Sequence, residues 1–246
     1  MSGHSKWHNI QAKKGKADAA RGKIFTKIGR EIAVAAKQGA DPAINSKLAD
    51  VIAKAKAANM PNDNIKRSIA KATGELGNVN YETLVYEGYG VGGSAVMVKT
   101  LTDNKNRTVG DVRHIFDKFG GSMGTTGSVT FMFENKGVIV VDRTVDLDED
   151  KMMEYALEAG ADDVIVSDDV YEVRTDPTAF TEVRKYLEDH GVTFEEADIM
   201  MIPNDRITLS DEQLVTFGKM LDAFEDNDDV QDVYHNVFLP EEPEEE

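Results

Sequence analysis

Lys6, Lys13, Lys14, Lys16, Arg21 and Lys23 crowd the start of the chain in a segment poor in large apolar residues, and Trp7, the sole tryptophan, lies among them. Such side chains suit polyanion binding. Each cation displaces a counterion from a phosphate, and an indole stacks on an unpaired base for roughly 1 to 3 kcal/mol. A segment with so little to bury is expected to take its order from the phosphate backbone it meets; packing of Trp7 onto the neighbouring helices is the equal alternative. From Ala17 onward the spacing turns helical. At about 100° per residue Lys16, Lys23, Lys27, Arg30 and Lys37 fall within an arc of about 80°, with Phe25, Ile28, Ile32 and Ala36 opposite. A solvated face usually mixes signs, so a row of one sign reads as a phosphate track. Lys66 and Arg67, on a later helix, join the candidate nucleic-acid contacts.

A second candidate set lies in three connections, EGYGVGG, TDNKNRT and GGSMGTTGS. Backbone amides at Gly90 and Gly92, with Asn104, Lys105 and Arg107, could build an anion or RNA nest; three well-made turns are the alternative. The run from Gly88 to Gly93 matches GxGxxG, but a dinucleotide site needs a helix next. SAVMVKTL follows, which is a strand, so the glycines read as a hairpin connection. Kinase elements that would accompany a strand-to-strand glycine loop do not appear downstream. His114, His190 and His235 are dispersed and read as structural. His4 and His8 lack a third ligand for zinc, although Ser2-Gly3-His4 with a free amine suits incidental square-planar Cu(II) or Ni(II). No catalytic residue, cofactor or physiological metal is expected.

These side chains must be carried by some frame, and the composition divides it. Residues 1–74 hold fifteen Lys and Arg against five Asp and Glu, a net of +10; residues 75–246 hold thirteen against forty, a net of -27. The spacing predicts one helix from about Ala17 and a second announced by Asp41-Pro42 and running through Ile44, Leu48, Val51, Ile52 and Ala55. A third spans from near Pro61 to Gly74. β-Branched runs then take over: YETLVYEGYG and SAVMVKTLT, a helix from about Thr108 to Phe119, and SVTFMFE as a further strand. Residues 137–202 follow the order of a split βαβ, and RITLSDEQLVTFGKMLDAFEDNDDVQDVYHNVFLP supplies the helix and strand the earlier unit lacks. The expected fold is α+β and multidomain: an N-terminal three-helix domain followed by two ferredoxin-like α/β domains, the third inserted into the second. The expected boundaries are 1–76, 77–134 with 204–240, 135–203, and an acidic disordered tail at 241–246.

Without Cys there is no disulfide, thiol nucleophile or Cys-ligated zinc. No apolar run approaches the roughly 20 residues of a membrane span, and nothing at the start reads as a secretory signal or cleavable leader. A cytoplasmic protein without membrane or small-molecule partners is expected; its oligomeric state stays open.

GHSKWHNI, KGKADAARGKIFTKIGREI, PNDNIKRSI, YEGYGVGG, TDNKNRT, GGSMGTTGSV and DDVQDVYHN together resemble the YebC/PmpR family over nearly the whole chain. Val91 departs from the Pro frequent in that family's glycine loop. The resemblance implies a DNA-binding transcriptional regulator with a helical domain and two α/β domains. Relatives that include a mitochondrial translational activator imply the alternative, a ribosome- or rRNA-associated translation factor relieving stalls at proline runs. An enzyme using the glycine loops is the third and weakest reading. Trp7 discriminates the first two: Trp7→Ala should weaken binding of looped RNA more than of uniform duplex DNA, which offers no free base face. Fluorescence titration of both ligands measures this, and equal losses would assign Trp7 to packing.

Overall fold

The computed structural model describes residues 17–74, 80–143 and 147–240, with side chains from residue 22 onward. Among these residues, seven helices and two four-stranded antiparallel sheets form a multidomain α+β fold. It divides into two compact units, residues 133–204 in one and the described residues of 17–132 with 205–238 in the other.

Three helices open the latter unit: α1 (Ala17–Ala36), α2 (Ser46–Ala57) and α3 (Asn62–Ala72). Apolar side chains three and four positions apart share a helix face. Ile28, Ile32 and Ala36 of α1, Leu48 and Ala55 of α2 and Ile65 of α3 therefore close, with Met60, on a core drawn from this segment alone. α2 begins later than the sequence suggests. Its N-cap is Asn45, whose side-chain oxygen accepts from Leu48 N at 3.1 Å while its Nδ2 donates to the carbonyls of Ala35 (2.9 Å) and Gly39 (2.7 Å). One buried amide thus satisfies an orphan donor of α2 and ties it to the end of α1. The Asp41 carboxylate only closes a local turn onto Ala43 N, at 2.9 Å. Ile44, expected on the apolar face, stays outside the helix, 84% exposed. Gly74, left-handed at φ 84°, follows the end of α3.

β1 (Glu82–Tyr89) and β2 (Ala95–Thr102) pair as an antiparallel hairpin through a 3-10 turn at Val91–Gly93, followed by α4 (Lys105–Lys118) and the short β3 (Ser122–Met123). The chain continues through β4 (Phe133–Asp142), α5 (Glu149–Ala159), β5 (Asp163–Val166), β6 (Val170–Thr175), α6 (Phe180–Asp189) and β7 (Glu196–Pro203). It ends with α7 (Asp211–Glu225), opened by a capping box at Ser210 and Gln213, and β8 (Val230–His235).

The sheet of residues 133–203 has the order β5-β6-β4-β7, that of a split βαβ. Ile139, Val141, Tyr171 and Val173 meet Met152 and Ala156 of α5 and Val183 and Leu187 of α6 on its helical side. The other sheet runs β3-β1-β2-β8, the last strand hydrogen-bonding to β2. Its two helices, α4 and α7, lock through Phe116 and Phe224, edge to face at 5.3 Å between ring centroids.

SVTFMFE is not the strand the sequence predicts. Residues 130–132 form a 3-10 turn, Phe133 begins β4 of the other sheet opposite Pro203, and Ser122 and Met123 pair with β1 instead. The reason is the buried Glu87 carboxylate, which accepts from the amides of Gly127 (2.8 Å), Val129 (2.9 Å) and Thr130 (2.9 Å) and so withdraws them from any ladder.

Pairing of β3 requires a bare Cα at Gly88, where a Cβ would lie 2.5 Å from the Ser122 carbonyl oxygen and 2.9 Å from the Phe116 ring. Gly88→Ala should therefore destabilise the protein by about 2 kcal/mol. Gly110→Ala, in an exposed turn of α4 with nothing near its Cβ, should stabilise it by about 1 kcal/mol. Denaturant midpoints of the two variants check both signs.

Candidate nucleic-acid interface

Lys23, Lys27 and Arg30 do share one face of α1, and that face meets acids. Lys23 Nζ lies 2.5 Å from Asp226 Oδ1. Arg30 Nη1 donates to Asp229 Oδ1 at 2.7 Å and to the Leu101 carbonyl at 2.9 Å. Lys27 sits between them with Asp232 and Asp228 nearby; burial lowers its basicity, and the two carboxylates oppose that shift. Further along, Lys37 Nζ donates to Asn80 Oδ1 at 2.5 Å. The row legible in the sequence is thus occupied from within the chain. Lys6, Trp7, Lys13, Lys14, Lys16 and the incidental copper ligand His4 lie outside the described residues, as does the Arg21 side chain.

Asp229 is the centre of this contact. A β-bulge between the Lys99–Asp232 and Thr100–Val230 pairings leaves Gln231 as the extra residue in β8, and a bulge re-aims its neighbours. Gln231, with its amide oriented to suit both partners, reaches Lys27 O at 3.3 Å and Glu31 Oε1 at 3.2 Å on α1. Asp229, 3% exposed, turns inward. Its carboxylate accepts from Arg107 Nη2 (2.9 Å to Oδ1, 2.8 Å to Oδ2), Arg107 Nε (3.2 Å), Thr108 Oγ1 (2.8 Å) and Thr102 Oγ1 (3.2 Å), besides Arg30. Burial pushes its pKa up; the hydrogen bonds from Arg107, Thr108 and Arg30 outweigh that and hold it below the usual carboxylate range.

The second candidate set is also engaged. Gly90 N donates to Ser94 O at 2.7 Å and Gly93 N to Gly90 O at 3.2 Å. A Cβ at Gly92, where φ is 64°, would lie 2.5 Å from Leu209 Cδ2, and one at Gly90 would lie 2.8 Å from Ser94 Oγ, so Gly90 lets the hairpin turn tightly and Gly92 lets it approach the segment before α7. Asn104 caps α4 by accepting from Arg107 N at 3.1 Å. The Arg107 guanidinium, besides holding Asp229, reaches Asp103 at 3.0 Å. Lys105 is exposed.

What the sequence did not single out is the buried acids, Asp229 and Glu87 among them. Glu87 organises the connection from Gly120 to Thr130; burial raises its pKa, and the amides of Gly127, Val129 and Thr130 more than reverse that. An acid amid strand residues, before a glycine loop, is the only signal, and it is weak. Lys47, Lys56, Lys66, Arg67 and Lys71 on α2 and α3 are exposed and make no ion pair among the described residues, and Lys105, Arg113 and Lys118 on α4 are open in the same way. His190 stacks on Tyr186 at 4.1 Å, His235 meets Phe217 edge to face at 5.0 Å, and His114 is exposed on α4. Among the described residues no group of three His, Asp or Glu is placed to hold a metal, and no helix is long and apolar enough to cross a membrane.

A three-helix basic segment followed in sequence by two antiparallel sheets with their helices, one interrupting the other in sequence, defines the class of protein. The chain belongs to the TACO1/YebC family: residues 5–75 match the model of the TACO1/YebC N-terminal domain, and residues 81–237 that of its second and third domains. It is 58% identical over 243 residues to a "probable transcriptional regulatory protein" of Clostridium novyi, covering 98% of this chain and 99% of that one. A protein of the same description from Clostridium botulinum strain Okra is 60% identical over 242 residues, 98% of each. Among solved structures, a conserved hypothetical protein of Aquifex aeolicus superposes with a TM-score of 0.83 at 43% identity, over 93% of this chain and 95% of that one.

Asp229→Asn should cost about 3 kcal/mol at neutral pH, because it leaves two guanidinium groups facing a neutral amide. The folded carboxyl ionises below its ordinary value, so its contribution is fully present above about pH 4 and is lost as pH falls through the lowered folded pKa. The gap between wild type and variant in urea midpoint should therefore narrow as pH drops below about 4; a pH-independent gap would mean the charge is not what matters.

Proposed function

We propose that the protein is a nucleic-acid-binding regulator of gene expression and not an enzyme, with duplex DNA as its first-choice ligand. The observation that carries this reading is the set of exposed, unpaired cations on α2 and α3, Lys47, Lys56, Lys66, Arg67 and Lys71, on a chain whose remainder is strongly acidic. A basic surface attracts phosphate, while an acidic body repels nonspecific contact elsewhere. α3 follows α2 across residues 58–61, with Asn59 left-handed at φ 57°, a connection of helix-turn-helix length. The names of the relatives support transcription as the process regulated. A second reading, binding to structured rRNA on the ribosome, is favoured by Trp7 within the basic arm, since stacking needs an unpaired base.

In-cell crosslinking with sequencing of bound DNA and RNA tests the assignment. Recovery at promoters supports the first reading, recovery of one rRNA region supports the second, and recovery of neither removes both. In vitro, Lys66→Gln, Arg67→Gln and Lys71→Gln together should leave the fold intact. They should make the dependence of log affinity on log salt shallower by about 2 to 3, as expected for three lost phosphate contacts.

A further inference from the structure

We propose that the face of α1 bearing Lys23, Lys27 and Arg30 is a second polyanion site, held closed in the free protein by residues 226–232, which occupy it as a substitute for phosphates. This rests on the nucleic-acid reading above and adds a face and a means of control to it. The three cations stand four and three residues apart, a rise of about 10 Å along one side of the helix, a spacing suited to a phosphate backbone. The segment DNDDVQD sets four carboxylates against them. Asp226 pairs with Lys23, Asp229 pairs with Arg30, and Asp228 and Asp232 flank Lys27.

Three features make this contact releasable. First, burial is graded: the Lys23 and Asp226 side chains are 42% and 75% exposed, whereas those of Arg30 and Asp229 are 15% and 4%. A competing polyanion therefore meets the weak outer pair before the strong inner one. Second, α1, α2 and α3 have a core of their own, and the bonds that hold α1 to residues 226–232 are ionic and polar. Contacts of that kind weaken with salt and part without opening an apolar core. Third, Asp229 does not depend on Arg30 alone. Its oxygens also accept from Arg107, Thr108 and Thr102, so the departure of Arg30 leaves no uncompensated buried charge.

Zero-length carbodiimide crosslinking of the full chain, read by mass spectrometry, reports the outer pair directly, because an amide forms only between an amine and a carboxylate in contact. The free protein should yield a Lys23 to Asp226 crosslink. Saturation with a short duplex DNA, or with an RNA hairpin, should reduce it about tenfold. Separately, Asp226→Asn with Asp228→Asn, which leaves the Asp229 cluster intact, should bind the probe about three- to tenfold more tightly at low salt. The comparison is Asp168→Asn with Glu182→Gln, two exposed acids of the other unit, which removes the same charge elsewhere. A persistent crosslink with probe bound, or equal tightening in both double variants, overturns the closed site and leaves the nucleic-acid reading standing. Failure of either probe to bind any variant removes both.

Discussion

A carboxylate withdrawn from water must be matched by donors of equal strength, and Asp229 imposes that condition on the unit it sits in. It draws Arg107 from the first turn of α4, Thr102 from the end of β2, Thr108 from α4 and Arg30 from α1. Its carbonyl also accepts from Leu101 N at 2.7 Å, and its own amide donates to Asn227 Oδ1 at 2.9 Å. Side chain and backbone are thus both anchored at the start of β8. One buried charge thereby ties the start of β8 to the end of β2, the first turn of α4 and α1. Breaking such a cluster is expensive, whereas its net worth relative to apolar packing is modest; it acts chiefly to specify an arrangement.

The helical periodicity around Ile28, Ile32, Leu48 and Ile65 was plain in the sequence because a 3.6-residue repeat of apolar side chains allows few other outcomes. The split βαβ order of residues 137–202 was equally plain, since strands and helices alternate there with short connections. Boundaries were less so. Asp41-Pro42 has the chemistry of a helix start, yet Asn45 wins because its amide reaches two carbonyls at the end of α1 as well as an amide of α2. That advantage exists only once α1 is in place. SVTFMFE has the composition of a strand, and a carboxylate forty residues earlier in the chain captures the amides it would need. Both differences come from tertiary hydrogen bonds, to carbonyls of α1 in one case and to a carboxylate of β1 in the other, that outcompete a local preference.

The candidate site was legible in part for the same reason. That Lys23, Lys27 and Arg30 share a face follows from helix geometry alone. What the face meets does not, because the partners are four aspartates near the other end of the sequence, indistinguishable there from the acids that merely keep the surface hydrated. The composition of the glycine connections suits a nest or turns, and the amides of Gly90 and Gly93 are engaged within the hairpin. A Cβ at Gly90 would crowd the Ser94 hydroxyl, and one at Gly92 would meet the Leu209 side chain. Glu87 likewise stands in for an anion, receiving the three amides that a phosphate would otherwise attract.

If a chain of net charge -17 is to engage nucleic acid, it must keep its own acids from filling its basic face, or use them there. Residues 226–232 are tethered to α1 within one compact unit, so they compete at an effective concentration that no free counterion matches. A ligand offering one or two phosphates gains too little to displace four placed carboxylates. On the proposed reading, a ligand offering a continuous backbone would engage the open cations of α2 and α3 first and then contest α1 pair by pair, from the exposed end inward. On the proposed reading, internal competition of this kind would lower affinity for every anion but most for short ones, so the acidic segment would convert a generic attraction for phosphate into a preference for extended polymers.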